Sequence, residues 1–309
     1  MPERRLPGHA QVSRSEGTKA GSRTFTGVRE IIAFPEGLQV GSIKMVKDSI
    51  PPQDSLIPGL TAARERTYQK RVAEPRARGD RTDFDGSKVW LKGVDFQDGT
   101  LTLTTGETRY FDLWGLPGAA PDLHDRYLNQ MQESGHTDVP NGIATHNTII
   151  TADELVIMTV RSRQSGFATG RVSVSYEEQM ELKDRTPLHA AARGLKEEFG
   201  AIIPVNNLKL LGLAAEEVTA YTAACHFGEI NLTASELVES WRDALDRDEG
   251  TVLFGVPLNK IEEFSSDVIP KDVWTSHLIA GEIPQTATLS PHPVVPWRIA
   301  LVKEHVGGK

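Results

Sequence analysis

The sequence predicts an α+β protein, and three observations predict it. Strand-like runs of alternating or β-branched residues recur between Ile31 and Val256. Two helix patterns with their own start signals, Thr186–Phe199 and Ser235–Leu245, lie between those runs. An Asp98-Gly99 pair, a two-residue hairpin signal, joins two of them. Strands with helices set between them fit an α+β or sandwich architecture.

Taken in order, residues 1–25 are polar and rich in Gly, Ser, Arg and Lys, and read as a disordered tail. Ile31–Lys47 holds a first strand. Asp48–Gly59, with Pro51, Pro52 and Pro58, reads as a loop. Arg64–Arg81 carries seven basic residues with a single aromatic, Tyr68, among them, which favours a solvated helix and loop over a nucleic-acid arm. Val89, Leu91 and Val94 lead to the Asp98-Gly99 turn, and Leu101 and Leu103 alternate with threonines beyond it. Tyr110, Phe111 and Trp114 close a third segment, so 88–114 is expected to be a small antiparallel meander. Gly115–Gly142 reads as loop with a short helix at Leu123–Met131.

From Thr148 the expected strands are Thr148–Thr151, Leu155–Val160, Val172–Ser175, Leu208–Leu213, Val218–Phe227 and Val252–Val256. Ser235 is the candidate N-cap of the later helix. Pro296–His305 forms a last helix opened by its proline. The division is therefore a tail at 1–25, a β-rich N-terminal domain or extension at 26–140, and a second unit at 145–305.

Bulk properties narrow the function. A chain of 309 residues with 39% hydrophobic and 25% charged residues is ordinary for a globular protein. A net charge of −8 works against general attraction to nucleic acid or acidic lipid. An anionic substrate would then need a metal ion or local Arg and Lys. The single cysteine, Cys225, excludes an intrachain disulfide and lies in an apolar stretch, as a buried thiol in a cytoplasmic protein would. No run is apolar enough to cross a membrane, and MPERRLPGHAQ lacks the apolar core of a secretory signal.

The segment that carries chemistry is TPLHAAARGLKEEFGAI, residues 186–202. Thr186 suits the N-cap and Pro187 the first helical position. Leu188, Ala191, Ala192, Leu195 and Phe199 repeat at helical spacing as a core stripe, and Gly200 falls where a left-handed turn ends a helix. The other face carries Arg193 and Glu197, four apart and able to pair, and Glu198. Two acids at a helix C-terminus oppose the helix dipole, so a cation should offset them: Arg193 or a bound divalent ion. An ordinary amphipathic helix with a solvated acidic end is the alternative.

Arg193-Gly194-Leu195-Lys196-Glu197-Glu198-Phe199-Gly200 resembles the second half of the Nudix box, matching it at Arg193, Leu195, Glu197, Glu198 and Gly200. The order of elements over roughly Thr148–Lys303 is also similar to that family, including a late strand running into Val256-Pro257-Leu258. The resemblance implies a Nudix-type α/β/α sandwich. The chain departs from the box at its second position, where Gly194 replaces a glutamate. Upstream, Arg185 and Gln179 stand where a glutamate and a glycine are usual, and Ala201 is small where a larger aliphatic residue is usual.

By resemblance, Glu197 and Glu198 hold Mg²⁺ or Mn²⁺ and Arg193 orients them. Glu177, Glu178, Glu181 and Asp184, read as a loop before the helix, are candidate replacement acids. Glu178 is taken as a metal ligand, and Glu249 is the first choice for a further ligand or base. Arg161 and Arg163 are candidate phosphate-gripping residues. No P-loop, GxGxxG, HExxH or CxxC motif occurs, and the nine histidines show no metal-ligand spacing. His226 reads as a satisfied core or edge residue, and His189 as surface or cap packing within reach of a substrate.

Two functions of different class follow. One is a metal-dependent hydrolase of a nucleoside diphosphate linked to another moiety, or of a similar phosphoanhydride. The other is a Nudix-fold module that binds a nucleotide or a protein without turning it over, which the loss of the glutamate at 194 favours. A homodimer is implied by resemblance, and nothing points to a membrane.

Overall fold

The computed structural model describes residues 25–308 except 49–56, 58, 79–84, 163–169, 265–270 and 284–288. The expected tail, most of the proline loop, Arg81 and Arg163 lie outside the described residues.

The architecture is α+β. Strands β1 (Val28–Leu38) and β2 (Ile43–Lys47) replace the expected single strand. Helix α1 (Leu60–Tyr68) passes through a π-helical turn, Gln69–Ala73, into α2 (Glu74–Arg78). Strands β3 (Ser87–Gln97) and β4 (Thr100–Arg109) form the expected hairpin. Its turn residues have φ of 48° at Asp98 and 74° at Gly99, the pair of left-handed conformations that matches strand twist.

The third strand of the meander does not form. Tyr110–Ala119 is a helix, α3. Asp112 decides this: its buried carboxylate accepts hydrogen bonds from the Arg109 backbone N–H (3.2 Å) and Thr108 Oγ1 (3.0 Å), closing a helical first turn. The sheet partner of β4 is instead β2, which runs parallel to it. Helix α4 (Pro121–Ser134) is longer than expected and ends at Gly135, φ 71°.

Strand β5 (Gly142–Ile150) begins six residues before the expected one and is the junction of the molecule. One edge runs parallel to β10 (Tyr221–Glu229) along its full length. The other edge pairs in turn with β3 at Gly142, with β8 (Tyr176–Gln179) over Ala144–Asn147, and with β6 (Leu155–Arg161) at Ile150. Strand β7 (Val172–Val174) joins β6. Helix α5 (Pro187–Phe199) follows β8, and β9 (Leu208–Glu216) lies between β10 and β1. Helix α6 (Ala234–Arg242) is capped by Thr233, not Ser235: Thr233 and Glu236 exchange side-chain and backbone hydrogen bonds. Strand β11 (Gly250–Pro257) pairs with β6, helix α7 (Lys271–Ser276) and β12 (Leu278–Gly281) follow, and α8 (Val295–Gly307) closes the chain.

Among the described residues these strands form one sheet of twelve, so the N-terminal strands and the later ones share hydrogen bonds. Alternation sorts its side chains into two core layers. Ile143, Ile149 and Ala224 face a layer completed by α4, α5 and α6. Ile150, Ala223, Cys225 and Phe227 face a layer completed by α7 and α8. Cys225 is fully buried, and burial pushes its thiol up to about 12. No described helix is long and apolar enough to cross a membrane.

Candidate active site

Helix α5 is pinned at both ends and along its buried side. Pro187 opens it and Gly200 ends it at φ 67°, where a Cβ would come 2.7 Å from Ser240 Oγ of α6. Thr186 stands at the N-cap, but its hydroxyl pairs with His189 Nδ1 (2.9 Å) and caps no backbone N–H. From β8, Tyr176 donates its hydroxyl hydrogen to the Ala191 carbonyl (2.6 Å) and packs edge-on against Phe199. The buried stripe differs from the one expected. Ala192 is only half-buried, whereas Gly194 and Glu198 lie on the buried side.

Glu177 and Glu178 belong to β8, not to a loop, and strand alternation sends them to opposite faces. Glu178 reaches α5, where Arg193 collects acids from three places. Arg193 Nη1 donates to Glu197 Oε2 (2.9 Å) and lies 3.1 Å from Glu178 Oε2. Its Nη2 donates to Asp184 Oδ2 (2.9 Å) and to the Gln179 carbonyl (2.9 Å). Glu181 Oε1 is farther, at 3.8 Å. The arginine thus ties β8, the turn after it and the helix together.

Glu249 arrives from the other side. It ends a short turn, Arg247–Glu249, docked twice by backbone hydrogen bonds. Asp246 N–H donates to the Glu197 carbonyl (2.8 Å), and Ser162 N–H to the Glu249 carbonyl (2.8 Å). The β6–β11 register then sets Arg161 opposite Gly250, with its Nη2 3.9 Å from Glu249 Oε2. Arg161 Nη1 lies 3.1 Å from Glu177 Oε2.

Glu198 sits between these two groups. It is 8% exposed, and its Oε1 has no hydrogen-bond partner. Burial raises its pKa well above the usual carboxylate range, and the nearby charges of Glu249, Glu178 and Glu177 push the same way against Arg161. Glu178 is pushed up to about 7 by burial, with Glu197 and Glu249 adding to it against Arg193. These acids are therefore short of positive charge, which is the condition a divalent cation relieves. Among the described residues, no group of three or more His, Cys, Asp or Glu side chains is placed to hold a metal ion as it stands.

Behind Arg161 lies a polar cluster that no spacing in the sequence announces. His146 Nε2 meets Glu216 Oε1 at 2.9 Å, and its Nδ1 lies 3.5 Å from Glu177 Oε1. Burial opposes a charge on His146, but Glu177 and Glu216 outweigh it and raise its pKa. Arg298, fully buried on α8, donates to Ser173 Oγ (3.0 Å), to Glu177 Oε1 (3.4 Å) and to the carbonyls of Asn147 and Val174. The one available signal was Arg298 itself, a charge inside the run Val294–Val302 where apolar residues stand on both sides. His226 is buried, as expected of a core residue.

No family model matches the sequence, and no curated protein matches it. Among solved structures, one similar chain is the DR0079 protein of Deinococcus radiodurans. It is 9% identical, with a TM-score of 0.31, over 45% of this chain and 76% of that one. Another is a MutT/Nudix family protein from Enterococcus faecalis, 12% identical with a TM-score of 0.30, over 45% of this chain. The chain spans 56% of the length of that second protein.

Proposed function

We propose that this chain is a Nudix-type hydrolase that depends on Mg²⁺ or Mn²⁺ and cleaves a phosphoanhydride, such as a nucleoside diphosphate linked to another moiety. The observation that carries the proposal is Glu198: a buried carboxylate with an unpartnered oxygen, set among Glu178, Glu249 and Glu177. Leaving Glu198 buried without a partner among other acids is costly unless a cation completes it.

In this reading Glu197, Glu198, Glu178 and Glu249 hold the ion. A divalent ion there neutralises phosphate charge and lowers the pKa of an attacking water. Arg193 fixes the directions of Glu178 and Glu197, so their carboxylates need no reorganisation when substrate arrives. Glu249, with its side chain 47% exposed, is the acid best placed to accept a proton at the solvent side. Arg161, already held beside Glu249 and Glu177, is the candidate to grip an incoming phosphate.

The test is hydrolysis of a panel of nucleoside diphosphate derivatives with and without Mg²⁺ or Mn²⁺, followed by phosphorus NMR. Turnover should require the metal, and Glu198→Gln should lower it about a hundredfold or more, at least the loss seen when a metal site's supporting groups are removed. A second reading, a nucleotide- or protein-binding module, is favoured by the lack of a finished ligand set among the described residues. Absence of turnover across the panel, with a nucleotide still raising the melting temperature, would select it.

A further inference from the structure

Gly194 stands in mid-helix, where glycine costs about 1 kcal/mol relative to alanine. Space alone explains why it is tolerated. A Cβ built on Gly194 would lie 2.8 Å from Glu178 Cβ, 3.0 Å from Tyr176 Cε2 and 3.2 Å from Glu178 Cγ. The stem of Glu178 therefore runs across the bare backbone of α5 at the position a side chain would fill. Its carboxylate ends beside Arg193 Nη1, the nitrogen that also donates to Glu197 Oε2.

We propose that Glu178 and Gly194 are a reciprocal exchange: β8 supplies from outside the helix the carboxylate that the box lacks at 194. Glu178 then binds the same divalent cation as Glu198, and Gly194 is the opening through which it reaches. The independent sign of a ligand at this place is the buried, unpartnered Oε1 of Glu198, one helical turn beyond Gly194 on the same buried side of α5. The inference rests on the metal-dependent reading above. It changes what the glycine means, from a lost ligand to a relocated one.

Mn²⁺ binding to the full chain, followed by electron paramagnetic resonance of the free ion, tests this without any substrate. Glu178→Gln keeps the stem and removes the charge, and should weaken Mn²⁺ binding about tenfold or more. Glu178→Gly should weaken it as well, and Glu178→Gly with Gly194→Glu should recover most of the loss, because the carboxylate returns through the space the stem vacates. Circular dichroism of the metal-free variants reports folding, and if the double variant fails to fold, Glu178→Gln decides. Wild-type affinity in Glu178→Gln, alongside loss of binding in Glu198→Gln, would overturn the exchange and leave the metal reading standing. No Mn²⁺ binding by the wild-type chain would overturn both.

Discussion

At the scale of single residues, helix propensity and packing make opposite forecasts at position 194. Propensity says that Gly194→Ala stabilises the helix by about 1 kcal/mol. Packing says that the new Cβ meets Glu178 Cβ at 2.8 Å, a distance that forces β8 and α5 apart. Glu178 is held at its tip by Arg193, and Tyr176, which the new Cβ would also meet, is tied to the Ala191 carbonyl of the helix, so packing should win. Gly194→Ala is expected to lower the melting temperature, and Gly194→Ala combined with Glu178→Gly to restore it. A single variant that melts higher than wild type would show that β8 and α5 move apart at little cost. Much of this site was legible: Arg193, Glu197 and Glu198 stand out by pattern, and Gly200 ends α5 in the left-handed turn. Glu178 was legible only as one acid among several. Tyr176, Glu178 and Met180 form a period-2 row whose outer members enter the core. A carboxylate in the middle of such a row is the mark of a buried acid with a task.

At the scale of elements, local signals succeeded where they were self-contained and failed where a distant residue decided. The Asp98-Gly99 hairpin and α5 carry their own turn and cap chemistry, and both formed with nearly the expected limits. Strand β8 is polar and short, and exists because β5 offers it a free edge over Ala144–Asn147. Tyr110, Phe111 and Trp114 have strand propensity, yet they form helix α3. Its first turn is set by Asp112, which is locked by Arg64 from α1 through contacts of 2.6 and 2.9 Å. That partner lies 48 residues away and no local window contains it. Asp112→Ala should therefore cost about 2 kcal/mol, since it removes hydrogen bonds to a buried charged group. Urea unfolding should show a lower midpoint with an unchanged slope. A midpoint equal to that of wild type would mean that α3 is held by its apolar side alone.

At the scale of the whole molecule, the sheet separates two kinds of buried charge, and their responses to pH have opposite sign. Glu178 and Glu198, beside α5, have raised pKa values, so each costs stability as pH rises above the ordinary carboxylate range and relaxes as pH falls. His292, just before α8, is held down to about 4 by burial, which outweighs the raising effect of Glu177 and Glu216; the charges of His146 and Arg161 add to the lowering. Its Nδ1 accepts a hydrogen bond from the Val294 backbone N–H (3.2 Å), which requires that nitrogen to be unprotonated. Above pH 6.5 it is neutral in both states and contributes nothing. Below that, the unfolded chain binds a proton that the fold refuses, so stability falls until pH reaches about 4. By pH 5 the cost is about 2 kcal/mol. The wild-type profile alone adds these opposing slopes together, but a paired comparison isolates one. His292→Asn keeps an acceptor near the Nδ1 position and cannot titrate. Between pH 8 and pH 5, urea unfolding should show this variant gaining about 2 kcal/mol on wild type. A gap that stays constant across that range would mean that His292 takes up its proton as readily inside the fold as outside it.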